Sequence, residues 1–349
     1  MPTRPRPRPL LIWAALLILY VVWGSTYLGI AIAVDTIPPF LMAAGRFALA
    51  GAVLLGWSIL REGRSFVWPT RREWRDTSIV AALLLGGGMG MVAFGEQTVP
   101  SGITALLIAM MPMWVAILGG IFLGERLPRI AVVGIVVGFG GVAILAGPSV
   151  VGGEGALDPL GLAAIIISPL SWSAGSLFAS HRATLPGRPL VATGAQMLAG
   201  GLVLLAMGTL AGEFGRLRIE AISAESLGAF LYLTVIGSLV AFTAYGWLLR
   251  VAPLPLVATY AYVNPVVAVI LGALVLSEPI EPRQLIAGAV IIAAVALIVT
   301  ARGRMRAPGL PPTPDRAAVR PASAPSPAPA TARSEAARPR DSRAHSRPG

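Results

Sequence analysis

Thr104-Ala105-Leu106-Leu107-Ile108-Ala109-Met110-Met111-Pro112 and Val257-Ala258-Thr259-Tyr260-Ala261-Tyr262-Val263-Asn264-Pro265 are two apolar runs that each reach a proline inside a longer hydrophobic segment. They stand 153 residues apart, and Pro100/Pro253, Gly119/Gly272 and Glu125/Glu278 keep the same separation. Upstream, a shift of 150 lays Arg46-Phe47-Ala48-Leu49-Ala50-Gly51 on Gln196-Met197-Leu198-Ala199-Gly200-Gly201, and Trp23 falls on Trp172, 149 residues on. Positions held in register over half a chain mark an internal repeat.

Working outward from that pair, the chain divides into ten apolar segments of the length a bilayer needs, roughly 20 residues at 1.5 Å each. They are Leu10–Val34, Pro39–Leu60, Thr77–Gln97, Gly102–Leu123, Ile130–Pro148, Pro159–Ser180, Leu190–Ala211, Ser226–Leu249, Pro255–Leu276 and Gln284–Ala301. Only 12% of the residues are charged and 56% are hydrophobic. A soluble domain carries about 25% charged residues and needs them to cover its surface. The expected fold is therefore an all-α polytopic membrane protein. Five spans per half is an odd number, so the second half enters from the opposite face and the two five-helix repeats are inverted. The expected organisation is a basic cytoplasmic N-terminus (1–9), a first repeat (10–148), a periplasmic link (149–158), a second repeat (159–301) and a disordered cytoplasmic tail (302–349), rich in Pro, Ala, Ser and Arg.

Orientation follows from arginine, since no lysine is present. With the N-terminus inside, the cytoplasm receives Arg4, Arg6, Arg8, Arg61, Arg64, Arg71, Arg72, Arg75, Arg126, Arg129, Arg182, Arg188, Arg250 and the tail. The other side receives only Arg216, Arg218 and Arg283. Short loops obey this bias, so both termini are expected to be cytoplasmic. The same placement explains a pI near 11.3 without nucleic acid. The Arg-rich start followed by an apolar run and Ala31-Ile32-Ala33 also has the outline of a cleaved signal peptide. The length of the segment, its Trp23-Gly24-Ser25-Thr26-Tyr27 run and its counterpart in the second half argue for a retained span. With no cysteine in the chain, disulfide and thiolate chemistry are excluded.

Trp23-Gly24-Ser25-Thr26-Tyr27, Arg46-Phe47, Val99-Pro100-Ser101-Gly102, Pro112, Gly124-Glu125 and Ala258-Thr259-Tyr260-Ala261-Tyr262-Val263-Asn264-Pro265-Val266-Val267-Ala268 together resemble the drug/metabolite transporter superfamily. The similarity is to its ten-helix members with two EamA-type repeats, in the YedA-like branch, and spans about Leu10 to Ala301. The resemblance implies export of amino acids, metabolites or drugs across the bacterial inner membrane. It also implies a central cavity lined by spans one to four and six to nine, with five and ten packed outside.

Arg46 lies about six residues below the outer end of its span, roughly 9 Å deep. A charge at that depth faces the bundle or a wet cavity, where it meets a substrate carboxylate or an internal acid; capping backbone carbonyls or snorkelling outward is the structural alternative. Glu96, the carboxylate within the third span, overlaps it in depth. An Arg46–Glu96 interaction that changes with protonation is expected to couple transport to a proton, against a plainer reading in which Glu96 is hydrated at the interface. Pro112 and Pro265 each remove a backbone hydrogen bond and kink their helices. Tyr260, Tyr262 and Asn264 stand beside the second kink, as path-lining groups or, for Asn264, as a partner of the broken backbone. Trp23, Trp172, Ser25, Thr26, Ser171, Ser173 and Gln196 supply a modest aromatic and polar lining, and serines are equally ordinary helix-packing elements. His181 and His345 have no ligand cluster around them, so no metal, cofactor or catalytic site is expected.

The expected activity is secondary transport by alternating access, because inverted repeats bind substrate near the midplane between halves. The expected partners are a small-molecule substrate, the bilayer and a proton, with the chain a monomer or homodimer. A non-transporting scaffold or sensor is the alternative, and the clustered acids or histidines of a membrane enzyme are missing.

Overall fold

The structure, a computed structural model, describes residues 9–125, 127–151, 157–252, 254–257 and 259–306. Ten apolar helices follow one another: α1 (Pro9–Thr36), α2 (Pro39–Ser65), α3 (Arg71–Gly95), α4 (Ser101–Leu123), α5 (Arg129–Gly147), α6 (Pro159–His181), α7 (Pro189–Leu210), α8 (Ala224–Tyr245), the shorter α9 (Tyr260–Val275) and α10 (Pro282–Ala301). Among the described residues, nine are long and apolar enough to cross a bilayer, and α9 is the exception. Its 16 residues reach about 24 Å. A separate turn, Leu254–Val257, precedes it, so the expected span Pro255–Leu276 is split rather than continuous. No strand occurs among the described residues.

Two other boundaries differ from the sequence expectation for local reasons. α3 starts at Arg71, ahead of the apolar run, because Thr70 and Glu73 form a reciprocal capping box. The last helix continues through Arg306, five residues into the expected tail. The remainder of the tail, with His345, lies outside the described residues, as do residues 1–8 and 152–156 of the link.

The helix pairings carry the repeat. α2 packs along α7, α5 along α10, and α4 against α9. α3 lies against α6 as α8 lies against α1, and α4 meets α6 as α9 meets α1. Adding five to each helix number returns a pairing that is also present, which is the pattern of two halves related by a two-fold axis. The halves run in opposite directions. Glu62 near the end of α2 pairs with Arg188 at the start of α7, while Glu213, just past α7, reaches the start of α2.

The α2–α7 crossing holds the halves together at closest range. A Cβ on Gly51 would lie 2.6 Å from the Leu198 nitrogen and 2.8 Å from the Gly194 oxygen, so backbone meets backbone there. Small residues permit such approaches between membrane helices, where lipid supplies no hydrophobic drive. Outward, α1, α5 and α7 present side chains such as Leu10, Val136 and Leu202 to the surroundings. Helices apolar on every face suit a bilayer.

Loops gather at two ends. One is arginine-rich: Glu62–Arg188 joins α2 to α7, and the Asp76 Oδ2 accepts from the Thr184 N–H at 2.8 Å. At the opposite end Ser226 donates to the Ile32 carbonyl at 2.8 Å. There Glu213, fully buried, accepts from the Phe40 and Leu41 N–H groups at 3.2 and 2.9 Å. Glu213→Ala strands two helix-start donors in the interior and is expected to lower stability by about 1–3 kcal/mol. A thermal melt in detergent checks this, with Glu213→Gln, which keeps one acceptor, recovering part of the loss.

Candidate functional site

Three stretches of wide π-helix interrupt the bundle: Leu19–Trp23 in α1, Ala82–Gly90 in α3 and Leu233–Val240 in α8. The last two are repeat equivalents. Such bulges loosen the regular ladder and often sit at functional sites. α6, the counterpart of α1, stays α-helical at the matching level and carries Pro169 there, whose carbonyl accepts from Ser173 at 2.6 Å. The glycine run 86–88 lies in the α3 bulge, and Trp172 packs over Gly88. A further break falls at Ala109–Met110 in α4, just ahead of Pro112. Pro265, by contrast, sits inside the unbroken helix Tyr260–Val275, and the break in that half lies before Tyr260. The two prolines match in sequence, but the helices part at different places.

Arg46 is 2% exposed. Its Nε donates to Ser238 Oγ on the α8 bulge at 2.9 Å, and its guanidinium carbon stands 4.9 Å from the Phe47 ring centre. Gly237 makes room for it: a Cβ there would lie 3.2 Å from Arg46 Nη2 and 3.3 Å from Thr26 Cγ2. Tyr232, just ahead of the α8 bulge, bonds the Ser25 Oγ through its hydroxyl at 2.6 Å. No carboxylate pairs with Arg46 among the described residues. Sequence reasoning singled out Arg46, Ser25 and Thr26, and the structure brings them together with Ser238, Gly237 and Tyr232, which it missed.

One helical turn from Ser238, Phe242 lines a cleft of about 440 Å³ that opens at the arginine-rich end. Ser58, Arg61, Thr193, Thr243 and Trp247 also line it. Behind Phe242 stands an aromatic group centred on Trp23, with ring centres at 5.6 Å to Phe242, 5.1 Å to Tyr245 and 4.9 Å to Tyr260. Thr26 Oγ1 donates to the Trp23 carbonyl at 2.6 Å, tying these rings to the Arg46 cluster. A second cleft, about 310 Å³, opens between α4 and α6 beside His181, again at the arginine-rich end. The other expected lining residues are more scattered. Gln196, Trp172 and Tyr262 are partly buried away from Arg46's described bonds, and Ser171 donates to the Leu83 carbonyl at 2.8 Å.

Two expectations about Glu96 are corrected. It is not hydrated at the interface: it is 6% exposed, and neither oxygen has a hydrogen-bond partner among the described residues. Nor does it pair with Arg46, whose Nε donates to Ser238. The Asn264 Oδ1 is likewise buried without a hydrogen-bond partner among the described residues. Among the described residues no group of three or more histidine, aspartate or glutamate side chains could hold a metal ion.

The EamA-like transporter family matches this chain twice, over residues 11–147 and 159–300, which are the two halves seen in the helix pairings. The chain is 38% identical over 291 residues to the "Uncharacterized inner membrane transporter YedA" of Escherichia coli (strain K12), covering 82% of this chain and 90% of that one. It is 27% identical over 279 residues to "Protein PecM" of Dickeya dadantii, covering 80% and 88%. A crystal structure of a protein 20% identical superposes with a TM-score of 0.57 over 85% of this chain and 98% of its own, a likeness of fold.

Proposed function

The chain belongs to the EamA-like transporter family and is a multi-pass protein of the inner membrane, and from that premise we propose that it exports small organic acids or amino acids by alternating access. Arg46 is the seat of the substrate carboxylate. The observation that carries this reading is a guanidinium 2% exposed, without an acidic partner among the described residues, one helical turn beyond the wall of a 440 Å³ cleft. A charge buried that way is costly unless something pairs with it, and pockets of this size hold small ligands. Trp23, Phe242 and Tyr260 offer a surface for an apolar or flat body attached to that carboxylate.

Both clefts open at the arginine-rich end, which the charge bias assigns to the cytoplasm, so this conformation is the one that loads substrate from inside. Glu96 is the residue that takes up the coupling proton, acting apart from Arg46 rather than through an ion pair with it.

Uptake of a panel of aromatic and aliphatic carboxylates, and of their amides, into proteoliposomes tests the proposal. Gradient-sensitive flux of at least one acid, absent for its amide, is expected. Flux no greater than in empty liposomes for every compound would support the scaffold or sensor reading instead.

A further inference from the structure

We propose that the cleft between α4 and α6 binds an anionic phospholipid of the cytoplasmic leaflet, with an acyl chain in the slot and the headgroup phosphate on Arg182 and His181. The two helices come from different halves and touch midway, where the Ser173 Oγ on α6 donates to the Met111 carbonyl on α4 at 3.1 Å. From there α4 runs to Leu123 and α6 to His181, and the cleft of about 310 Å³ opens between them. Ala174, next after Ser173, is the innermost lining residue of α6 and is too small to bridge the gap. His181 stands seven residues further on, so the slot extends about 10 Å along the helix.

The lining identifies the occupant. Leu118 and Phe122 from α4 face Ala174, Leu177 and Phe178 from α6, and among the described residues no hydroxyl or carboxylate lines the slot. The first cleft is built otherwise: Ser58, Thr193 and Thr243 line it, and Glu62 there pairs with Arg188. A small water-soluble anion would lose its hydration between walls of hydrocarbon and find no hydrogen bonds in exchange. An acyl chain has no such hydration to lose. Phe122 is 70% exposed and Ile121 beside it 68%, so the α4 wall continues into surface of the kind a bilayer covers.

The positive charge stands at the mouth. Arg182 and His181, the polar lining residues, are both exposed at the end of α6. The helix end does not occupy the arginine side chain, because the Arg182 and Ala183 N–H groups both reach the Phe178 carbonyl at 2.9 Å. Arg75, Arg188, Arg216 and Arg283 each pair with a carboxylate, whereas Arg182 has no ion pair among the described residues. His181 keeps its Nδ1 against the Ser180 Oγ and the Leu177 carbonyl at 2.8 and 3.2 Å, which leaves Nε2 for a ligand. A guanidinium holds a phosphate through two parallel N–H bonds. Basic pockets between membrane helices on the cytoplasmic side take anionic headgroups in this way. A zwitterionic lipid brings its own cation to a mouth that is already basic, so net negative charge is selected. The lipid fills space between the two halves, and its binding requires neither substrate nor transport.

Thermal unfolding of the purified full chain in a neutral detergent at pH 7 tests the site. Dioleoyl-phosphatidylglycerol is titrated against dioleoyl-phosphatidylcholine and against inorganic phosphate at constant ionic strength. Phosphatidylglycerol is expected to raise Tm by several degrees and saturate, as a ligand of the native state does. Its midpoint should lie at least tenfold below that of phosphatidylcholine, and inorganic phosphate should leave Tm unchanged. Arg182→Gln should raise the phosphatidylglycerol midpoint at least tenfold while keeping the lipid-free Tm within about one degree. Ala174→Leu fills the slot and should remove the response. Arg64→Gln, which neutralises an exposed arginine of the same end outside the cleft, should alter nothing. Three results would each overturn the site: overlaid curves for the two lipids, an equal response to phosphate alone, or a loss in Arg64→Gln as large as in Arg182→Gln. Each would leave the flux of carboxylates standing.

Discussion

Arg46→Met is expected to abolish carboxylate transport, by at least 100-fold, in a protein that melts no lower than the parent. The two halves of this expectation have separate causes. Transport is lost because, in the proposed cycle, the buried guanidinium is the positive charge that receives the substrate anion. Stability is kept because methionine replaces an unpaired buried charge with an apolar side chain of similar reach. Exchanges of that kind are often neutral or stabilising by about 1–4 kcal/mol. The cost on the other side is one hydrogen bond donated to Ser238, about 1 kcal/mol. Arg46→Lys keeps the charge but loses the planar fork, so a reduced flux of about a tenth is expected. Flux in proteoliposomes and a thermal melt on the same preparation read the two quantities. A matching fall in both would make Arg46 a structural post for α8 instead.

Gly51→Val is expected to prevent accumulation of folded protein. Its new Cβ would fall 2.6 Å from a backbone nitrogen and 2.8 Å from a backbone oxygen of α7, atoms that cannot rotate aside. The helices would have to separate along the crossing that joins the halves, and Gly194 and Gly201 show the same crowding against α2. Overpacking costs about 1–3 kcal/mol where side chains can yield, and more is expected here. Gly56, five residues further along α2, has nothing within 4 Å of its would-be Cβ. Gly56→Ala should therefore change stability by no more than about 0.5 kcal/mol. Membrane yield and monodispersity after extraction distinguish the pair.

Much of this architecture was legible in the residues because it rests on long-period features. Pro112/Pro265 and Glu125/Glu278 reported the repeat through spacing, and hydropathy reported the helices because a bilayer demands long apolar runs. The π segments left no such trace, since a wider turn has no residue type of its own. The glycine run 86–88 was their one visible sign. Arg46 could be read as functional because a deep charge is rare. Ser238 could not, being one serine among many in the helices. Glu96 was misplaced because position near the end of a span was taken for exposure. In the folded chain Ile165 and Gly161 of α6 close over its neighbour Gly95. Burial of that kind is decided by partners distant in sequence.

Alternating access requires the two inverted halves to open in turn to the two ends. Because the chain has no cysteine, single introduced thiols report on it without background. Thr243 lines the cleft at the arginine-rich end and is exposed, whereas Ala93, its equivalent 150 residues earlier, is 1% exposed. Thr243→Cys should react with an impermeant thiol reagent from the cytoplasmic face while Ala93→Cys is protected. Conditions that drive the carrier outward should reverse the two, with Ala93→Cys labelled from the periplasmic face. Simultaneous labelling of both positions, or protection that never changes with any ligand or gradient, would contradict alternating access.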